Sequence, residues 1–150
     1  MNKMFISAGL ALALGAGYSL TAFSQAKPEV LVKQRQAAMT LQGKYFGPMA
    51  GMAQDKIPYK ADVVAYNASL LDALSRMPWD GFDANTKDVK SAALPVIFTD
   101  AGKFKEAQEN FQSAVGKLVS ASKGSDVAAT KVAIGAVGKQ RSATARRTGA

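Results

Sequence analysis

The stretch SDVAATKVAIGAVGKQRSATARRTGA, Ser125–Ala150, decides the fold and raises the question of function. In its first two-thirds, residues recur at spacings of three and four, which is typical of a helix with one buried face. Because an isolated helix this short is marginal in water, we expect this face to pack against other helices. The same spacing places Ala145 on or near the buried side. The face comprises Val127, Thr130, Ile134, Val137 and Arg141.

Three earlier segments also have helical periodicity. The first opens at Lys27-Pro28-Glu29, since proline suits the first helical position and an acid there complements the helix dipole. We expect it to reach about Gln54, with a kink or interruption at Gly47-Pro48 because proline lacks an amide proton. The second runs from about Lys60 to Arg76, and the third from an N-cap at Asp100 to about Lys123. Their predicted buried faces are Val32, Arg35, Met39, Phe46 and Met49, then Val63, Asn67, Leu70, Leu71 and Leu74, then Phe104, Gln108, Phe111, Val115 and Leu118.

A long connection, residues 79–99, separates the second and third helices. It has no steady period, and we expect only a short helical turn near Lys87 to Ala93; loops of this length are often functional. Gly124 should end the third helix, and Ser125 or Asp126 should cap the fourth. Four amphipathic helices with two short links and one long link predict an all-α fold, an antiparallel four-helix bundle.

Residues 1–24 are typical of a secretory signal peptide. Lys3 precedes an apolar run from Met4 to about Ala22, and the segment ends in Ala22-Phe23-Ser24, with small residues where a signal peptidase cleaves. We therefore expect cleavage after Ser24, a periplasmic location and one domain formed by residues 25–150. The alternative is an uncleaved membrane anchor. No later stretch is apolar enough to cross a bilayer, so we predict no membrane association after cleavage.

The chain contains no cysteine and no histidine. These absences exclude disulfides, thiolate or imidazole metal sites, a Ser–His–Asp triad and a cysteine nucleophile. No glycine loop that binds phosphate is present, because Gly135 and Gly138 lie inside a predicted helix, where a glycine lets another group approach the backbone. The eleven acids are scattered along the chain. We therefore predict that the protein is not an enzyme.

Basic residues outnumber acidic ones, nineteen to eleven, which gives a net charge of +8. Such an excess can indicate a face that binds nucleic acid or a membrane. Here the charges are spread along the chain, and no basic run is interleaved with aromatic residues. We therefore favour a solvated surface that meets acidic partners, and we predict no nucleic-acid binding.

Four side chains could carry chemistry. Arg35 and Met39 are four residues apart on one apolar face, where an unpaired charge is costly unless it reaches an anion or water. Alternatively, the Arg35 stem lies along the bundle end, and Met39 simply fills the core. Trp79 and Phe82 either form a hydrophobic lid over a bundle end or cover a cofactor.

Three segments resemble the cytochrome c prime family, which includes related low-spin class II c-type cytochromes. KPEVLVKQRQAAMTLQGKYFGPMAGM, residues 27–52, resembles the first helix of that family. IPYKADVVAYNASLLDALSRMPWDGF, residues 57–82, resembles its second helix and Pro-Trp turn, and VIFTDAGKFKEAQENFQSAVGKL, residues 96–118, resembles its third helix. The resemblance covers nearly all of residues 25–150.

In that family the fourth helix ends in a C-x-x-C-H motif, whose thiols bond a porphyrin and whose histidine binds iron. The aligned segment here, which follows Val137-Gly138-Lys139-Gln140, is Arg141-Ser142-Ala143-Thr144-Ala145. The resemblance implies haem as cofactor, with electron transfer or small-gas binding as function. For this chain, however, covalent attachment of haem is chemically impossible, and the proximal iron ligand is missing.

The resemblance also implies which residues would surround haem: Arg35, Met39, Phe46, Trp79 and Phe82. Met39 matches the distal side, where it could be an iron ligand, and Arg35 matches a position near the haem propionates. Trp79 and Phe82 match aromatic positions beside the porphyrin. Haem held by Met39 alone would be weakly bound. Further implications are a homodimer through the first two helices and, with haem bound, periplasmic redox partners.

Two alternatives accompany the haem-binding hypothesis. One is a haem-free bundle that acts as a binding or structural protein, with Arg141 paired to an acid. The other is a frame change near codon 141, because residues 141–150 are abruptly basic and contain no acid and no aromatic residue. Translating the 3′ end of the gene in its other two frames tests this second alternative.

Overall fold

The computed structural model describes residues 26–77 and 79–148, with side chains through Ala145. The predicted signal peptide therefore lies outside the described residues. The described chain forms helices and connections, without a strand. Five α-helices are α1 Pro28–Ala53, α2 Ala61–Ser75, α3 Val96–Thr99, α4 Ala101–Ser122 and α5 Val127–Thr148, and two 3₁₀ turns are Asp80–Phe82 and Ala84–Thr86.

The four long helices pack in a closed ring, α1 on α2, α2 on α4, α4 on α5 and α5 on α1. Short links join α1 to α2 and α4 to α5, while the long connection between α2 and α4 carries α3 and both 3₁₀ turns. The predicted all-α four-helix bundle with one long loop is confirmed. In the part of the chain that the structure describes, no helix is long and apolar enough to cross a membrane.

Helix ends follow the local signals in the sequence. The Asp100 carboxylate accepts a hydrogen bond from the Lys103 amide at 3.1 Å, and the Asp126 carboxylate accepts one from the Ala129 amide at 2.9 Å. Both are N-caps, which satisfy amides that lack a partner in the first helical turn. Of the two caps considered for the last helix, Asp126 is therefore the one used.

Helix α1 continues through Pro48, so the predicted interruption is wrong. Gly47 and Pro48 are both exposed. Water can therefore solvate the carbonyl that loses its hydrogen bond at the proline. The last helix is also longer than predicted, because α5 continues to Thr148 rather than stopping after two-thirds of the stretch.

The core lies between the four long helices at the level of Met49 in α1. Each fully buried Leu, Ile, Phe or Met side chain contributes roughly 1.5–3 kcal/mol, so these contacts dominate the packing energy. In α2 the predicted Asn67, Leu71 and Leu74 are buried, whereas Val63 and Leu70 are only half-buried and the buried face also includes Val64 and Ala68. Val127, predicted to be buried, is 42% exposed at the start of α5. The side chains with at most 1% exposure in this core are Met49, Val64, Ala68, Leu71, Phe111, Val115, Leu118, Ile134 and Val137.

The long connection contains helical turns, but they lie outside the predicted position. Residues 87–93 form turns and bends, whereas the 3₁₀ turns precede them and α3 follows them. The Thr86 hydroxyl donates to the Asp83 carbonyl at 2.7 Å, and Ser91 accepts a hydrogen bond from Arg35 of α1. Bonds to a distant helix fix this segment, and a local periodicity cannot predict them.

Candidate functional site

The segment of α5 that aligns with the haem motif lies against α1 and α4. Arg141, Thr144 and Ala145 line one cavity together with Met39 of α1 and Phe111 of α4. Gln42 completes the lining. The volume of this cavity is about 20 Å³. A volume of this size holds about one water molecule.

Two buried polar side chains of this cavity are bonded to backbone carbonyls. Gln42 is 2% exposed, and its amide nitrogen donates to the Leu74 carbonyl at 2.9 Å. Thr144 is also buried, and its hydroxyl donates to the Gln140 carbonyl at 3.1 Å. These bonds satisfy donors whose burial would otherwise be costly, so the cavity wall is fixed without a ligand.

The Arg141 side chain extends from α5 to α1, where its guanidinium lies beside Phe46 and Gly43. Its guanidinium carbon lies 5.9 Å from the centroid of the Phe46 ring, which permits a cation–π interaction. A Cβ atom at Gly43 would lie 3.0 Å from Nη2 of Arg141, so the absence of a side chain at Gly43 leaves space for the guanidinium. Among the described residues Arg141 forms no ion pair, so the acid expected beside it in the haem-free alternative is not found there.

Arg35, the second cation on a core-facing stripe, is 3% exposed. Its guanidinium donates to the Gly81 carbonyl, to the Thr86 hydroxyl at 3.3 Å and to the Ser91 hydroxyl at 2.7 Å. It also lies 4.5 Å from the centroid of the Phe82 ring. Burial lowers the pKa of Arg35, because the charged form is poorly solvated there. Its hydrogen-bond acceptors in the described chain are neutral, so Arg35 fastens the long connection to α1.

Aromatic side chains cluster next to Arg35. The ring centroids of Phe82 and Phe104 are 5.0 Å apart, and those of Trp79 and Phe104 are 5.8 Å apart, both in edge-on arrangements that suit aromatic pairs. The Trp79 indole donates to the Ser75 carbonyl at 2.6 Å. This cluster joins the long connection to the end of α2, through Ser75, and to the start of α4, through Phe104.

The predicted site residues therefore belong to two groups of contacts. Arg35, Phe82 and Trp79 form the first group, which fixes the long connection. Met39 and Phe46 form the second, because each lies beside Arg141. Sequence reasoning missed Gln42, whereas Thr144 was named only as part of the segment aligned with the haem motif. A signal for Gln42 was present, since it lies three residues after Met39 and therefore on the same helical face.

Comparisons with known proteins identify the family. The family model described as Cytochrome C' matches residues 30–142. Cytochrome c' of Rubrivivax gelatinosus is 41% identical over 113 residues, which is 75% of this chain and 88% of that protein. The chain belongs to the cytochrome c prime family. Cytochrome c' of Alcaligenes xylosoxydans xylosoxydans is 38% identical over 113 residues, 75% of this chain and 87% of that protein.

Solved structures of the cytochrome c prime family agree with the fold. The crystal structure from Rubrivivax gelatinosus has a TM-score of 0.76 and 37% identity, and the match covers 81% of this chain and 96% of that chain. The protein from Shewanella frigidimarina has a TM-score of 0.78 and 31% identity, covering 83% and 97%. A nitric oxide complex of a mutant from Alcaligenes xylosoxidans has a TM-score of 0.75 and 36% identity, covering 82% and 96%.

Haem is the cofactor that this cytochrome family implies, and the residues present do not fit it. Arg141, Thr144 and Ala145 replace the two thiols and the imidazole, and the chain has no cysteine or histidine elsewhere. The cavity that they share with Met39 is about 20 Å³ in volume. A porphyrin between Met39 and Ala145 would have to displace Arg141 and separate α1 from α5. The roles toward haem assigned to Arg35, Met39, Phe46, Trp79 and Phe82 stay predictions.

Proposed function

We propose that this chain is a haem-free member of the cytochrome c prime family that acts in the periplasm as a binding protein, without enzymatic or electron-transfer activity. The observation that carries the proposal is the water-sized cavity at the aligned haem motif, which Arg141 helps to close. The missing thiols and imidazole support it on chemical grounds. The predicted signal peptide, residues 1–24, supports the periplasmic location.

The packing around Arg141 supports a bundle that is stable without a cofactor. A cofactor that binds only the folded state stabilises a protein by mass action, so a chain that lost it needs other contacts. Here the Arg141 guanidinium packs over Phe46, and Gln42 and Thr144 are bonded to backbone carbonyls. These contacts lie where the family motif would place the cofactor.

The second candidate function is haem binding, with electron transfer or small-gas binding and periplasmic redox partners. Family membership and the position of Met39 in the cavity wall favour it, because a methionine thioether can bind haem iron. The relative from Alcaligenes xylosoxidans was solved as a nitric oxide complex. For this chain the candidate requires Arg141 to move out of the slot and haem to bind noncovalently.

A homodimer through α1 and α2 is a further part of the proposal. Leu41 of α1 is 40% exposed and Tyr66 of α2 is 63% exposed, so apolar surface is available on both helices. Sedimentation of the purified chain measures the association directly. A monomer at all concentrations would contradict this part alone.

The absorption spectrum of protein purified from the periplasm of cells that mature c-type cytochromes tests the proposed function. We expect no Soret band from the natural chain. The triple variant Arg141→Cys, Thr144→Cys and Ala145→His restores the C-x-x-C-H motif, and we expect it to gain haem that resists acid-acetone extraction. A matched variant, Arg141→Ser, Thr144→Ser and Ala145→Gln, removes the same side chains without supplying ligands and should stay colourless.

A Soret band in the natural chain would overturn the haem-free proposal. If acid-acetone removes that haem, the second candidate function is supported instead. The frame-change hypothesis has its own test in the gene, because a C-x-x-C-H motif in another frame of the 3′ end would support it. The family match ends at residue 142, inside the segment aligned with the haem motif. This boundary favours the hypothesis of a frame change near codon 141.

A further inference from the structure

A groove on the outer surface separates α1 from α5. Phe46 and Ala50 line its α1 side, and Gly135 and Gly138 line its α5 side. Its volume is about 450 Å³, which is within the range of small-molecule sites in proteins. The groove therefore has the size of a ligand site, and it lies outside the water-sized cavity beside Met39.

The two glycines that line the groove differ in what lies above them. A Cβ atom at Gly135 would meet no other atom within 4 Å, so the space above this residue is open. A Cβ atom at Gly138 would lie 3.2 Å from Cζ of Phe46, so the helix backbone and the aromatic ring approach closely there. The groove is therefore open at Gly135, whereas the Phe46 ring covers Gly138.

The two ends of the groove differ in charge. Lys131 lies at one end and is paired with the Asp55 carboxylate. Arg141 lies at the other end and has no ion pair among the described residues. Ten residues of helix separate them, which is roughly 15 Å at 1.5 Å per residue. One end is therefore neutralised, and the other offers a cation to an anionic group.

Arg141 also belongs to the wall of the inner cavity. Its guanidinium thus lies between the cavity and the groove, half-buried and packed over Phe46. A cation held in this way has donors directed by the protein, and a carboxylate can accept two parallel hydrogen bonds from a guanidinium. An apolar chain attached to that carboxylate would lie over the Phe46 ring and reach the open space at Gly135.

We propose that the groove between α1 and α5 binds a medium-chain fatty acid, with its carboxylate on Arg141 and its hydrocarbon chain over the Phe46 ring and Gly135. The hydrocarbon chain would cover the Phe46 ring and Ala50, and the Arg141 charge would gain a partner. The proposal rests on the haem-free function, because noncovalently bound haem would displace Arg141 from this position.

Calorimetric titration of decanoate into the mature chain, below the concentration at which decanoate forms micelles, tests the proposal. We expect saturable binding to the natural chain. Loss of a charge-assisted hydrogen bond predicts that Arg141→Gln weakens binding by about tenfold or more. Decanol, which has the same chain without the carboxylate, should bind the natural chain correspondingly weakly.

Two glycine substitutions separate a filled groove from a damaged fold. Gly135→Leu places a side chain in the open space of the groove and should abolish decanoate binding. Gly116→Leu is the matched control, because a Cβ atom there also meets nothing within 4 Å and the residue lies in α4. We expect Gly116→Leu to keep the natural affinity, and circular dichroism of both variants reports whether the bundle is intact.

The outcomes distinguish this proposal from the proposed function. If the natural chain has no Soret band and binds no decanoate, the fatty-acid site is wrong and the haem-free function stands. Decanoate binding that is equally strong in Arg141→Gln, or in a folded Gly135→Leu variant, also overturns the site. A Soret band in the natural chain overturns the proposed function itself.

Discussion

Replacement of Arg35 by methionine should detach the long connection from the bundle. Methionine keeps an unbranched stem and can still pack on Phe82, so the change removes mainly the guanidinium and its three hydrogen bonds. Hydrogen bonds to charged groups contribute roughly 1.5–3 kcal/mol each, which sets an upper limit for the loss.

The net loss is smaller because some of the acceptors keep partners. The Thr86 hydroxyl, for example, still donates its one proton to the Asp83 carbonyl at 2.7 Å. The cost of burying the Arg35 charge also disappears with the charge. We therefore expect Arg35→Met to lower the free energy of unfolding by about 2 kcal/mol, within the usual range for a broken buried network.

Urea unfolding followed by two signals measures this effect. With a slope of about 2 kcal/mol per molar urea, the expected midpoint shift is ~1 M by circular dichroism. Trp79 is the single tryptophan and belongs to the long connection, so its fluorescence reports this region separately. We expect its emission to shift to longer wavelength in the variant before the helices unfold.

Arg76→Met is the matched control. The Arg76 side chain is 61% exposed and pairs with Asp72 one helical turn away. Exposed pairs of this kind contribute at most ~0.5 kcal/mol, so the midpoint should hardly move. If Arg35→Met were as stable as Arg76→Met and its Trp79 emission were unchanged, the conclusion that Arg35 fastens the connection would be refuted.

Three further substitutions test other contacts by thermal unfolding. Gly81→Ala should destabilise by about 1–3 kcal/mol, because its Cβ atom would lie 2.8 Å from an α1 side chain; a native-like melting temperature would contradict that close approach. Asp126→Ala should lower the free energy of unfolding by ~1 kcal/mol, because α5 loses its N-cap. An unchanged melting temperature would show that the cap does not stabilise the protein. Gln42→Leu should lower the free energy of unfolding by about 1–2 kcal/mol, because the Leu74 carbonyl loses its side-chain donor. A higher melting temperature would show that apolar packing at this position stabilises the protein more than the hydrogen bond does.

Chemistry that depends on residue type could be predicted from the sequence. The absence of cysteine and histidine excludes covalent haem attachment and an imidazole iron ligand whatever the fold, because only a cysteine thiol forms a thioether bond to the porphyrin and only histidine has an imidazole. Local signals also predicted the cap at Asp100 and limited the cap of the last helix to Ser125 or Asp126, since capping needs only a side chain and amides two or three residues away. The four long helices were predicted from periodicity, which also depends only on residues three or four positions apart.

Tertiary structure decided where the helices meet and what their cations contact. Arg35 looked like a ligand for an anion, but residues about fifty positions away supply its acceptors, and no local pattern encodes them. Position 141 was predicted to lie near the core, yet only the packing of α5 on α1 places its guanidinium over Phe46. Cavity volume likewise depends on how close two helices lie, and that distance is set by every side chain between them.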